Sequence, residues 1–143
     1  MLSNNKTKLD DVAFKGDRNL AAQYLAQNAA GNQQGARSVY DQAVAGQPQN
    51  SQISLYSQAV MAAKTANNTS DTLYFMEKLA TIEQSYQAYG ALADLYAAQH
   101  NTAGQREYLQ KAVADLEKRA QASAAYQPLL TNYQQQLQKL GTS

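Results

Sequence analysis

Apolar residues recur at intervals of three and four along most of the chain, the period of one face of an α-helix. The clearest stretch is residues 86–116, which predicts two amphipathic helices joined by a short polar turn. The first helix has its apolar residues at Tyr89, Leu92, Ala93 and Tyr96, and the second at Tyr108, Leu109, Ala112, Val113 and Leu116. The segment between them favours a turn, and Thr102 is the predicted N-cap of the second helix.

Two similar helical hairpins precede this one. We place the three hairpins at about residues 17–48, 52–83 and 86–117, within a region that spans residues 16–122. Ala43, Leu79 and Ala112 hold equivalent positions in the second helices and are separated by 36 and 33 residues. In the middle hairpin, Ser70 or Thr69 is the predicted N-cap. A repeated hairpin that cannot bury its apolar face alone is typical of a repeat protein.

The two ends of the chain have a different pattern. Residues 1–15 are interpreted as a flexible leader with a helical start, in which Val12 and Phe14 are the apolar anchors. Residues 123–143 are predicted to contain a last helix, over about 127–140, and a tail. That helix is apolar on one side only, which is typical of an end cap, and Gly141 is suited to terminate it.

The third hairpin resembles a tetratricopeptide repeat, of the degenerate type found in bacteria. Tyr89, Leu92, Ala93 and Tyr96 match the first helix of that pattern, and Leu109 and Ala112 match the second. Gln105 and Glu117 depart from it, because a small residue and Pro are usual there. The first hairpin matches at Gly31, Ala36, Tyr40, Ala43 and Pro48. The resemblance implies an all-α fold: a right-handed solenoid of three hairpins plus a C-terminal capping helix.

The resemblance also implies a function, namely a non-catalytic scaffold or adaptor that binds a protein or peptide on its concave face. The residues that this face would present are Arg18, Leu25, Asn28, Ser54, Ser57, Met61, Lys64, Gln87, Gly90, Asp94 and Ala97. The few cations and amides among them do not have the spacing of the family's carboxylate clamp. A groove with Leu25 and Met61 is instead expected to accept an apolar helix or an extended segment. The alternative is that this shallow surface is only solvated.

Composition and charge exclude several other classes of function. The net charge is +1 with no basic cluster, so binding of nucleic acid through phosphates is not expected. The chain has no Cys, and its single His, His100, is interpreted as an exposed turn residue rather than a base or metal ligand. No phosphate-binding or catalytic motif occurs, so we predict no enzyme activity, no metal and no cofactor. No apolar run is long enough to span a membrane.

Ten tyrosines form the most unusual feature of the composition. Tyr24, Tyr40, Tyr56, Tyr89 and Tyr96 lie on the apolar faces, which favours a packing role over an aromatic binding surface. A second hypothesis for function is a self-assembling, homodimeric structural segment, such as the soluble part of a membrane-attached bacterial envelope protein. The abundance of Gln, Asn and Ala without Cys leans toward an extracytoplasmic location. Whether a signal or anchor precedes Met1 stays open.

Overall fold

The computed structural model describes residues 20–141, and every regular element within that range is helical, which confirms the predicted all-α class. Helix α1 is described over residues 20–29. The remaining helices are α2 (Gln33–Val44), α3 (Gln49–Thr65), α4 (Thr69–Glu83), α5 (Tyr86–Ala98), α6 (Thr102–Ala122) and α7 (Gln127–Gly141). A 3₁₀ turn, Ala124–Tyr126, precedes α7. The predicted leader lies outside the described residues.

The α1–α2, α3–α4 and α5–α6 turns share one conformation. In each, the second residue after the first helix lies in the left-handed region: Gly31 (φ 76°), Asn67 (φ 55°) and His100 (φ 59°). The next residue is Asn in all three turns, at positions 32, 68 and 101, and its side-chain oxygen accepts a hydrogen bond from a backbone N–H three residues on. Its own backbone N–H donates back to the preceding helix at 2.9 Å. Each Asn therefore closes one helix and caps the next.

These caps correct the sequence prediction. Thr102 is the first residue of α6, and the cap is Asn101, whose side-chain oxygen lies 2.9 Å from the Gly104 nitrogen. Thr69 and Ser70 likewise lie inside α4, and Asn68 caps that helix. Asn is at least as good an N-cap as Ser or Thr, because its side chain carries an equally short acceptor.

The chain divides into two compact units between Phe75 and Met76, and α4 contributes to both. In the first unit the core is centred on Phe75, which is fully buried. Its ring lies 5.3–6.2 Å, centroid to centroid, from those of Tyr24, Tyr40, Tyr56 and Tyr74. Several of these pairs meet edge to face, an arrangement that stabilises each by about 0.5–1.5 kcal/mol beyond burial. One side chain thus joins α1, α2, α3 and α4.

The core of the second unit lies between α5 and α6. Leu92, Leu109 and Leu116 are fully or almost fully buried there. The Tyr96 ring stacks on Tyr108 with centroids 5.7 Å apart, and it leaves no room for a side chain at Gly104, where an added Cβ would lie 2.6 Å from the ring. Helix α7 packs on α6 and buries Leu130. At the far end of α7, Arg106 of α6 donates to the Leu140 carbonyl at 3.1 Å.

Candidate functional site

An apolar groove of about 380 Å³ lies on the surface of the first unit. It is formed by side chains of α1, α2 and α3: Ala21, Leu25, Tyr40, Gln58, Met61, Ala62 and Thr65. Tyr40 and Ala62 are buried and form its floor. Leu25 and Met61 stand at its edges with 36% and 67% of their surface exposed. The structure thus brings together, from two helices, the two large apolar residues that were predicted to contact a partner.

The other predicted contact residues of the first unit are spread around this groove. Ser54, Ser57 and Lys64 are exposed along α3, and the Ser57 hydroxyl donates to the Ile53 carbonyl of its own helix at 2.8 Å. Asn28 is half-buried, and its side-chain oxygen accepts a 2.7 Å hydrogen bond from Asn68. Asn28 therefore has a structural contact already. Arg18 lies outside the described residues.

In the second unit the predicted contact residue Gly90 lies against the last helix, α7. Gly90 is buried, and an added Cβ there would lie 2.3 Å from the Tyr133 hydroxyl of α7. The chain's own last helix therefore covers the surface of α5 that was expected to be open at this point. Burial, and next the nearby Asp94 carboxylate, raise the pKa of Tyr133. Gln87 and Asp94 are exposed, and Ala97 is half-buried.

A polar network that the sequence did not predict lies inside the first unit, around the fully buried Asp71. One carboxylate oxygen accepts from the Arg37 Nε at 2.7 Å, and the other accepts from the Tyr24 hydroxyl at 2.8 Å and the Asn68 amide at 3.0 Å. Burial, together with this hydrogen bond to Asp71, raises the pKa of Tyr24. A buried carboxylate needs such donors, because removing its charge from water is costly. The network therefore fixes the positions of α1, α2 and α4 relative to one another.

A second carboxylate, Asp41 on α2, accepts hydrogen bonds from two tyrosine hydroxyls. Tyr56 donates to one oxygen at 2.7 Å, and Tyr74 donates to the other. Burial, and next the hydrogen bond to Asp41, raise the pKa of Tyr74 to about 12 and also raise that of Tyr56. The Arg37 guanidinium lies over the Tyr74 ring, 4.2 Å from its centre. Both carboxylates of the described first unit are thus engaged by donors that fix the fold.

His100 is an exposed residue in the α5–α6 turn with a φ of 59°, the conformation that Gly31 has in the first turn. Between residues 20 and 141, no group of three or more His, Asp or Glu side chains could hold a metal ion. None of the helices in this part of the chain combines the length and the apolar character that crossing a bilayer requires.

The comparisons with known proteins add no relative. No protein-family model matches the chain, and no curated protein or solved structure does so either. The functional argument for this protein therefore depends on its own residues, and the apolar groove is the feature whose exposure the fold leaves unexplained.

Proposed function

We propose that the protein is a non-catalytic module of tetratricopeptide-like hairpins that binds a protein or peptide segment in the apolar groove of its first unit. The repeat part of this proposal is supported by the three shared turns. Their capping asparagines, Asn32, Asn68 and Asn101, are 36 and 33 residues apart, close to the family's period. Helical hairpins repeated at that interval are typical of solenoids that bind partners on an open face.

The observation that carries the binding proposal is the exposure of Met61 beside Leu25. An isolated exposed apolar side chain is ordinary on a protein surface. Here two of them, on different helices, border a concave surface with buried Tyr40 and Ala62 as its floor. A volume of about 380 Å³ lies at the small end of the range of about 300–1,000 Å³ that ligand pockets occupy. It is suited to one or two apolar side chains of a bound segment.

A selection experiment tests the proposal with the full chain. Short random peptides displayed on phage are selected on the immobilised protein, and the affinities of the recovered peptides are measured by fluorescence anisotropy. We expect them to contain one or two large apolar residues. Met61→Lys should weaken binding at least tenfold, because burying a Met or Leu side chain contributes about 1.5–3 kcal/mol.

The chain offers a matched control. Leu129 on α7 is exposed to 40%, similar to Leu25, and lies in the second unit. Leu129→Lys should leave peptide affinity unchanged, and both variants should keep the circular dichroism spectrum of the parent. Peptides that bind Met61→Lys as tightly as the parent would refute the groove as the site. If the parent and Leu129→Lys sedimented as dimers and Met61→Lys as a monomer, a second copy of the chain would instead cover the groove.

A further inference from the structure

The charge around the apolar groove is the feature that distinguishes possible partners. The described part of α1 has no charged residue, and in α3 the one charged residue is Lys64. The side chain of Lys64 is exposed and lies three residues after Met61, so the two side chains are neighbours on the helix surface. Among the described residues of α1 and α3, the groove therefore has an apolar floor and, beside Met61, one positive charge.

The other charged groups of residues 20–75 do not neutralise the positive charge of Lys64. They are Arg37, Asp41 and Asp71. Asp71 is buried against Arg37, and Asp41 accepts from Tyr56 and Tyr74. Among the described residues no carboxylate lies within ion-pair distance of the Lys64 ammonium. The ammonium lies in the last turn of α3, where it interacts favourably with the partial negative charge at the C-terminal end of the helix.

The apolar part of the groove can accept different apolar side chains, whereas the charge of Lys64 selects between partners. Methionine is flexible and polarisable, so Met61 at the edge can adapt to anchors of different shape. A cation beside such an adaptable contact discriminates between partners mainly by charge, since like charges are repelled and carboxylates are attracted. Hydrogen-bonding side chains along α3, Ser54 and Ser57, add no charge of either sign.

We infer that the preferred partner is a short acidic segment, in which one or two apolar side chains enter the groove beside Met61 and an Asp or Glu next to them meets Lys64. This inference rests on the proposed function and names the chemistry of its ligand. The apolar anchor is interchangeable among Leu, Ile, Met and Phe, and the carboxylate provides the selectivity. Its contribution is electrostatic and exposed, so it weakens as salt is added.

The test is a charge reversal read by selection. Short random peptides are selected in parallel on the full parent chain and on Lys64→Glu. Peptides from the parent should be enriched in Asp or Glu beside the apolar residues, and those from Lys64→Glu should be enriched in Lys or Arg at the same place. Replacing the acidic residue of a parent-selected peptide by its amide should weaken binding about two- to fivefold at low salt, the range of an exposed ion pair. Added salt should remove that difference.

Three results would overturn the inference, and they separate it from the proposed function. In the first, peptides selected on the parent and on Lys64→Glu are equally rich in apolar residues and show the same charge preference, which would reject the role of Lys64. The groove would still be the binding site if Met61→Lys abolished the capture of these peptides. Preference for basic peptides by the parent would reject it as well. Peptides whose binding is indifferent to Met61→Lys would reject the proposed function itself. Lys111→Glu, which reverses an exposed lysine of α6, is the control and should not alter the selected charge.

Discussion

Replacing Asp71 by Asn gives the sharpest test of how the first unit is held together. The carboxylate is fully buried, and all three of its side-chain neighbours, Arg37, Tyr24 and Asn68, are donors. An amide at this place has one acceptor oxygen and one NH₂ group. Whichever way it turns, the NH₂ faces a donor, and the Arg37 charge loses its partner.

The expected loss follows from the geometry. Breaking a buried ion pair by removing one charge costs about 3–5 kcal/mol. Arg37 retains 25% exposure of its side chain, so water can partly solvate it, and the retained amide oxygen keeps one or two hydrogen bonds. We therefore expect Asp71→Asn to lower the free energy of unfolding by about 2–4 kcal/mol. For a chain of this length that corresponds to a fall in Tm of very roughly 4–16 °C.

Chemical denaturation at neutral pH, followed by far-UV circular dichroism, measures this loss. Asp94→Asn is the matched control, because Asp94 is exposed on α5, and it should change stability by less than about 0.5 kcal/mol. Replacing both Asp71 and Arg37 by Leu should cost less than the two single Leu substitutions together, since no charge then remains unpaired. If Asp71→Asn were no more destabilising than Asp94→Asn, the network would not hold the unit together.

Three further outcomes are expected. His100→Gly should stabilise the chain by about 0.5–1 kcal/mol, because Gly adopts the left-handed conformation without strain. Gly31→Ala should destabilise the chain by about 1 kcal/mol for the converse reason. Thermal unfolding midpoints equal to that of the parent would contradict both expectations. Gly104→Ala should destabilise the fold by about 1–3 kcal/mol, because the added methyl group clashes with the Tyr96 ring. Gly141→Ala, whose added methyl group enters open space, should leave the stability unchanged. Denaturant titrations measure both. The stabilisation contributed by the hydroxyls of Tyr24, Tyr56, Tyr74 and Tyr96 should be fully present below about pH 10 and should be lost as the pH rises toward about 12. These tyrosines keep their protons in the fold at pH values where the unfolded chain ionises. Tyrosinate absorbance of the folded protein and unfolding midpoints against pH check this, and Tyr74→Phe should flatten the decline.

Some features that the sequence analysis missed were visible in the sequence. An Asn stands three positions after the last residue of the first helix in all three shared turns, directly preceded by Gly, Asn or His, the residue types that best tolerate a left-handed conformation. This pattern, with its spacing of 36 and 33 residues, would have identified Asn32, Asn68 and Asn101 as the caps. The general preference for Ser and Thr at N-caps predicts Thr102 instead, one residue after the true cap.

Other features had no local signal. Phe75 is the fully buried centre of the first unit, whereas Leu73, an apolar residue of the same helix two positions earlier, is only half-buried. The periodicity of an amphipathic helix defines an apolar face about 100° wide or more, and the residue at its centre is chosen by the neighbouring helices.

The sequence by itself determined the helical class and the approximate extent of the last helix, because helix periodicity and turn preferences act over a few residues. The choice of Leu25 and Met61 as contact residues came from the resemblance to the repeat family and not from periodicity. Only the tertiary structure decided which polar groups are buried and which surface stays open. Asp71 resembles any acid in the first turn of a helix until Tyr24, Arg37 and Asn68 surround it. From the sequence Gly90 is expected to be open, but in the fold the side chain of Tyr133, 43 residues later in the chain, covers it. Burial depends on contacts between segments that are distant in the chain, and no local pattern specifies those contacts.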